Sequence, residues 1–285
     1  MAASALIAAC GGPSEEDVRR SQAEYDLGVG LMNERNLAGA FQHLQEATRL
    51  DPDNAEAHLV LGTLFLLRED FDPAERELRA ALAANERLGR SGRPALESEA
   101  HNTLGVLYIH RQRFAEAVTE LRLATGDLMN RTPHLAWGNL GWAYYEQRDY
   151  AQALEALDQS VQSQPQFCNG WYRIGQVHFA MAQQGGAQQP AAEAPPDGAD
   201  PSREHLVRAD EALTRGLEVD ADECRALQDA WLLRGQTRAR LGRQEDAIAD
   251  FERCVELDPN TEAGRQCAGL LDQDDGSDDE PEDGA

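Results

Sequence analysis

Small and large apolar residues recur along this chain with a period of about 34 residues. The pattern is clearest when the segments 21–54 and 134–167 are aligned. The matching residues are Leu27, Gly28, Ala40, Leu44 and Pro52 in the first segment, and Leu140, Gly141, Ala153, Leu157 and Pro165 in the second. Small residues suit the places where two helices cross, large apolar residues fill the space between them, and proline cannot continue a helix. Each segment is therefore predicted to be a pair of antiparallel helices.

The same pattern recurs in 55–88, 98–131 and 228–261, and in a fifth, split unit that begins near Cys168 and resumes at 206–220. One such unit cannot bury its own apolar face, so the units must stack on a shared core. The spacing resembles that of the tetratricopeptide-repeat family. The resemblance implies an all-α fold, a right-handed superhelical solenoid of about six helix-turn-helix repeats with a C-terminal capping helix.

Changes of composition divide the chain into segments. Residues 183–204 form an insertion within the fifth repeat, which is predicted to be disordered because it is rich in Pro and Gly and poor in large apolar residues. The predicted segments are a signal-peptide remnant at 1–9, a tether at 10–20, repeats one and two at 21–88, a linker at 89–97, repeats three to six at 98–261, a capping helix at 262–271 and an acidic disordered tail at 272–285.

The charge of the chain excludes some partners. The net charge is −25, and all 26 basic residues are arginine. A nucleic-acid-binding protein needs clustered cations to neutralise phosphates, so no nucleic-acid partner is expected. The acidity equally disfavours adhesion of the protein surface to anionic lipid. Since no run of about 18 apolar residues exists, attachment to a membrane would require a covalent anchor.

No catalytic, cofactor or metal site is predicted from the sequence. Gly28-Val29-Gly30 lies within a predicted helix and lacks the third glycine of a dinucleotide motif. The seven histidines show no ligand spacing, and the acidic tail does not fit the register of a calcium loop around Gly276. The protein is therefore expected to be a non-enzyme without cofactors.

The resemblance to tetratricopeptide repeats also implies a binding surface. In that family the second, fifth, ninth and twelfth positions of each repeat face a concave groove. Here those positions form an apolar and aromatic strip that suits an extended or helical apolar peptide. The alternative is that several of these side chains belong to the core or to helix ends. The predicted groove residues are Leu59, Leu66, Val106, Ile109, Leu135, Trp142, Tyr145, Tyr172 and Phe179.

Cysteine usage suggests an export route. The stretch Ile7-Ala8-Ala9-Cys10 resembles a bacterial lipobox, which implies lipid attachment at Cys10, although the stretch before it is short and lacks a basic residue. Four further cysteines, an even number, suit an oxidising compartment. Cys254 and Cys267 lie on neighbouring predicted helices, so a disulfide between them is geometrically reasonable. Three pairings remain open, as does a set of four free thiols.

The lipobox, the six repeats and the stretch from Leu135 to Phe179 together resemble the type IV pilus biogenesis lipoproteins, the pilotins. The resemblance implies a monomer anchored to the periplasmic face of the outer membrane. Such a protein binds secretin subunits and promotes assembly of the secretin ring. Two alternatives stay open, a scaffold for another envelope machine and a cytoplasmic adaptor without lipid.

Overall fold

The structure, a computed structural model, describes residues 12–89, 92–127, 130–188 and 200–275. These residues form fourteen helices and no strand, so the predicted all-α class is confirmed. The helices are α1 (Glu15–Asn33), α2 (Leu37–Leu50), α3 (Ala55–Leu67), α4 (Phe71–Arg87), α5 (Pro94–His110), α6 (Phe114–Gly126), α7 (Pro133–Glu146), α8 (Tyr150–Ser163), α9 (Cys168–Gln188), α10 (Pro201–Leu217), α11 (Asp222–Arg225), α12 (Gln228–Arg240), α13 (Gln244–Leu257) and α14 (Glu262–Asp275).

The helices are grouped in two compact units. Unit 1 spans Met1–Arg131 and contains α1–α6, the first three predicted repeats. Unit 2 spans Thr132–Ala285 and contains α7–α14, the last three repeats and the predicted cap. The two helices of each repeat pack against each other, and within each unit neighbouring repeats are also in contact.

Hydrogen bonds show that the two helices of a repeat are antiparallel. In the first repeat, the Ser21 hydroxyl near the start of the pair donates to the Ala47 carbonyl near its end, at 2.8 Å. In the fourth repeat, the Ser160 hydroxyl near the end of α8 donates to the His134 carbonyl at the start of α7, at 2.7 Å. Each bond satisfies a polar group that the close approach of the helices would otherwise leave unpaired.

The turns between first and second helices share one backbone conformation. One residue in each of five turns has a positive φ, which ends the first helix in the left-handed conformation. These residues are Arg35, Glu69, Gln112, Arg148 and Gly242. The recurrence of one turn conformation explains why the helix pairs have the same geometry even where the turn sequences differ.

A glycine of the first helix lies directly against a large side chain of the second helix in all six repeats. A Cβ atom built on each glycine would lie 2.4–2.8 Å from that side chain, closer than real Cβ contacts. The pairs are Gly28–Leu44, Gly62–Leu78, Gly105–Leu121, Gly141–Leu157, Gly175–Leu213 and Gly235–Phe251. The fifth pair bridges α9 and α10, so the split fifth repeat has the same internal packing as the others.

We expect Gly105→Ala to lower the free energy of unfolding of unit 1 by about 1–3 kcal/mol, because Leu121 is fully buried and cannot retreat without strain. Gly30→Ala is the matched control. Gly30 is an exposed helical glycine with no atom near its virtual Cβ, so alanine should stabilise by about 0.5–1 kcal/mol. Urea denaturation monitored by circular dichroism measures both. Equal stability of Gly105→Ala and wild type would show that the Leu121 contact does not fix the helix spacing.

A histidine–glutamate hydrogen bond links the two helices of every repeat in unit 1. The His58 Nδ1–H donates to Glu77 at 2.7 Å, and the His101 Nδ1–H donates to Glu120 at 2.6 Å. In the first repeat the order is reversed, since Glu24 lies on the first helix and His43 on the second, 2.6 Å apart. The histidine can therefore lie on either helix of the repeat and still form the hydrogen bond with the glutamate of the other helix.

The last two repeats contain a buried ionic network. Arg234 on α12 makes two hydrogen bonds to the Asp250 carboxylate on α13, at 2.6 and 3.0 Å. Arg238 also donates to Asp250, and it donates to Asp210 on α10. Both Arg234 and Asp250 are buried, so the network ties three helices together inside unit 2.

Several element boundaries differ from the sequence prediction. The helix α1 begins at Glu15, within the predicted tether, because Ser14 and Asp17 form a capping box. The helix α9 extends to Gln188, so it includes the start of the predicted insertion, and α10 begins at Pro201. The cap α14 ends at Asp275, and the short helix α11 was not predicted. Cys10 and residues 1–9, 189–199 and 276–285 lie outside the described residues.

Candidate protein-interaction groove

The predicted groove residues occupy the first helices of four repeats, α3, α5, α7 and α9. Most of them are half-buried, which leaves part of each side chain available to a partner. These are Leu66, Val106, Ile109, Trp142, Tyr145 and Tyr172. Leu59 and Phe179 are buried, with exposed fractions of 5% and 8%, whereas Leu135 is exposed at 37%. Four of the nine positions belong to unit 1 and five to unit 2.

Unit 2 brings aromatic groove residues together. The rings of Trp142 and Tyr145 on α7 are stacked, with centroids 4.8 Å apart and an interplanar angle of 17°. The ring of Tyr150, at the start of α8, lies 5.7 Å from Tyr145. These three half-buried rings form a continuous aromatic surface, called here the aromatic patch. Such rings offer a large contact area at low entropic cost.

One arginine lies on the aromatic patch. The guanidinium carbon of Arg173, on α9, is 4.4 Å from the centroid of the Trp142 ring, a cation–π distance. Burial lowers the pKa of Arg173 to about 10. The group is therefore still charged at neutral pH. Because Arg173 falls between the positions that the family pattern assigns to the groove, the sequence prediction missed it.

The tyrosines around Arg173 are neutral at physiological pH. Burial raises the pKa of Tyr172 to about 12, and burial also raises the pKa of Tyr145. The Tyr172 hydroxyl accepts a hydrogen bond of 2.9 Å from the Gln176 side-chain amide. The surface around Trp142 therefore combines neutral aromatic rings with the positive charge of Arg173.

Phe179 lies farther along α9 and is part of the core. It packs with Ala182 on the same helix and with Leu206 and Ala209 on α10. The guanidinium carbon of the exposed Arg240, on α12, lies 4.5 Å from its ring centroid. Phe179 can therefore contact a partner only through the small part of its ring that remains accessible.

Unit 1 has an apolar cavity that sequence reasoning did not find. It has a volume of about 360 Å³ and lies between the start of α2 and the end of α3. Leu37 and Leu67 on its rim are exposed at 49% and 66%, and Phe41 and Phe65 meet there edge to face. The cavity joins the turns of neighbouring repeats, so no pattern within one repeat indicates it. Its lining residues are Leu37, Ala38, Phe41, Gln42, Leu64, Leu67 and Arg68.

Two disulfides are formed in unit 2. Cys254 on α13 is bonded to Cys267 on α14, the bridge that the sequence analysis named as possible, and the bond joins the last repeat to the cap. Cys168 at the start of α9 is bonded to Cys224 on α11. All four cysteines are buried.

The described ranges contain neither a cluster of metal-ligating side chains nor a membrane-spanning helix. Within them, no three His, Cys, Asp or Glu side chains are close enough together to share a metal ion. None of the helices described above combines the length and apolar character needed to cross a bilayer.

Comparison with known proteins identifies the repeats. Models described as tetratricopeptide repeat match residues 31–87, 68–127, 134–167 and 228–261. The protein is a tetratricopeptide-repeat protein. Tetratricopeptide repeats are scaffolds for protein–protein interaction, and this coarse function applies to the chain. No curated protein is significantly similar to it in sequence.

Solved tetratricopeptide structures share its fold. PilW, a widely conserved type IV pilus biogenesis factor, is 21% identical with a TM-score of 0.65, over 87% of this chain and 98% of PilW. PilF of Pseudomonas aeruginosa is 18% identical with a TM-score of 0.67, over 90% of this chain and all of PilF. The Cut9 and Hcn1 assembly of the APC/C matches with 12% identity and a TM-score of 0.66 over 91% of this chain, but over only 43% of the matched chain. At these identities the similarity concerns the fold.

Proposed function

We propose that this tetratricopeptide-repeat protein is a non-enzymatic lipoprotein of the outer membrane that binds secretin subunits and promotes assembly and localisation of the type IV pilus secretin ring. The observation that carries the proposal is the near end-to-end match to PilW and PilF. Both comparisons cover almost all of either chain, whereas the similar match to Cut9 and Hcn1 covers less than half of a longer chain. The similarity to the pilus proteins therefore extends over nearly the whole length of both chains and not over single repeats alone.

The proposed role needs no chemistry from the protein. A secretin subunit would bind the predicted groove residues, and the aromatic patch of unit 2 would supply an apolar contact surface for it. A lipid on Cys10 would hold the complex at the outer membrane. The two disulfides support a location outside the cytoplasm, since such bonds persist in oxidising compartments. That support favours an envelope protein over a cytoplasmic adaptor.

Deletion of the gene tests the proposal. We expect the detergent-resistant secretin multimer to disappear from membranes and secretin monomer to accumulate, with recovery when the wild-type gene is restored. Gel electrophoresis of membranes without boiling, followed by detection of secretin, measures both species. An unchanged multimer in the deletion strain would contradict the pilotin role and would favour a scaffold for another envelope machine.

The anchor is tested in the same strain by Cys10→Ala, expressed from the gene's own start. We expect the variant to be folded but absent from the outer-membrane fraction, with a reduced secretin multimer. Gly12→Ala is the matched control, because Gly12 is exposed and has no neighbouring atoms within 4 Å. A Cys10→Ala protein that still fractionates with the outer membrane would disprove lipid attachment at this residue.

A further inference from the structure

Arg173 is exceptional among the arginines of this protein. Five arginines are buried or half-buried in the described residues, namely Arg111, Arg113, Arg173, Arg234 and Arg238. Four of them form ion pairs with a carboxylate. Arg173 forms none within the described parts of the chain. The chain has 51 acidic residues for 26 arginines, so the missing partner does not reflect a shortage of carboxylates.

The contacts of Arg173 leave its hydrogen-bonding edge available. The guanidinium lies against the Trp142 ring, at 4.4 Å from the centroid. A guanidinium stacked on a ring uses its flat face and keeps its N–H donors directed sideways. A partly desolvated cation in this state gains strongly from a carboxylate, because one carboxylate can accept two parallel N–H bonds. Glu146, at the end of α7, attracts Arg173 only at a distance and is itself exposed.

The position of Arg173 indicates which kind of carboxylate fits. Arg173 lies on α9, and α9 has the first helices α7 and α12 as neighbours on its two sides. Apolar or aromatic side chains lie on both sides of Arg173. The aromatic patch lies towards α7, and Phe179, whose ring Arg240 covers, lies towards α12. A bound peptide would therefore continue in both directions past the arginine. This favours a side-chain carboxylate within a peptide over a chain terminus.

We propose that Arg173 is a specificity-determining residue that receives an internal aspartate or glutamate of the partner, flanked by apolar residues that contact the aromatic patch. The inference rests on the proposed function insofar as it assigns the partner chemistry of the same groove. It adds a requirement that an apolar strip alone does not have. A purely apolar peptide would leave a partly desolvated cation without a counter-charge.

Peptide selection with a displayed library of random peptides tests this assignment. The wild-type protein, Arg173→Gln and Arg215→Gln are used as targets. Arg215→Gln is the matched control, since Arg215 is an exposed arginine on α10 that lies 5.3 Å from the Trp171 ring centroid, away from Trp142. We expect wild type and Arg215→Gln to select peptides with an acidic residue between apolar ones. Arg173→Gln should select apolar peptides without that acidic residue.

A selected peptide is then synthesised with its acidic residue and with the corresponding amide. We expect the amide to bind wild type at least about 10-fold more weakly, and both peptides to bind Arg173→Gln equally. Wild-type selection without acidic residues, or an amide peptide that binds wild type as tightly, would overturn the proposal. Circular dichroism confirms that Arg173→Gln is folded. If it is not, Arg173→Met replaces it, because methionine removes the charge and keeps an apolar stem against Trp142.

The outcomes of this test are separate from those of the secretin test. If deletion of the gene leaves the secretin multimer intact while Arg173 still determines the selected peptides, the carboxylate site stands and the pilotin role fails. If the multimer is lost on deletion but selection shows no acidic preference, the pilotin role stands and the Arg173 assignment fails.

Discussion

Replacing Asp250 with alanine is expected to destabilise the last repeat by about 3–5 kcal/mol. The Asp250 carboxylate is 2% exposed and accepts hydrogen bonds from both Arg234 and Arg238. When Asp250 is removed, Arg238 keeps its ion pair with Asp210. Arg234, in contrast, loses the carboxylate with which it pairs. A buried cation would then remain without its counter-charge, and this accounts for the size of the effect.

Urea denaturation gives the total loss of stability, and hydrogen exchange of α12 and α13 shows where it occurs. Glu256→Ala is the matched control, because it breaks the surface pair with Arg253 and should cost less than about 1 kcal/mol. The double variant Arg234→Met with Asp250→Leu removes both buried charges and should recover most of the loss. A loss for Asp250→Ala no larger than that for Glu256→Ala would show that the network contributes little to stability.

Removal of the Cys168–Cys224 disulfide, by replacing both residues with alanine, is expected to cost about 4 kcal/mol. The bond joins residues 56 apart, so it restricts a long stretch of the unfolded chain that includes α9 and α10. The Cys254–Cys267 bond joins residues only 13 apart, and its removal should cost about 3 kcal/mol by the same reasoning. Alanine suits all four positions because the side chains are buried.

Thermal melting with and without a reductant measures the contribution of each bond. Reduction should lower the melting temperature of the wild type. The melting temperature of the variant without Cys168 and Cys224 should fall less on reduction, because only the Cys254–Cys267 bond, which closes the shorter loop, remains to be reduced. A wild-type melting curve that is insensitive to complete reduction, verified by thiol counting, would contradict the expected stabilisation.

The repeat architecture could be predicted from the sequence because it depends on residue volume at fixed spacing. A glycine such as Gly141 and a leucine such as Leu157 face each other in every repeat, and that alternation is visible without coordinates. The start of α1 was missed because it depends on a capping box at Ser14, a local hydrogen bond outside the repeat pattern. The length of α9 was missed because its last residues resemble a linker in composition.

The candidate groove was predictable only in part. Trp142 and Tyr145 were predicted to lie on the groove face of α7, and their side chains are half-buried and stacked on each other. Leu59 is buried because α3 is apolar on nearly all sides, so periodicity cannot separate its core face from its groove face. Arg173 and the cavity beside Leu37 depend on contacts between different repeats. A pattern read within one repeat does not contain that information.

The reversed histidine–glutamate pair of the first repeat has a consequence for how similar helices find their partners. If α1 paired with α4 instead of α2, Glu24 would face Glu77, and the complementary error would bring His58 of α3 against His43 of α2. Two carboxylates in contact repel each other, whereas the correct pairs attract. Repeats two and three share the same order and gain no such discrimination. The reversed order therefore disfavours, during folding, the mispairing of helices of the first repeat with those of the second.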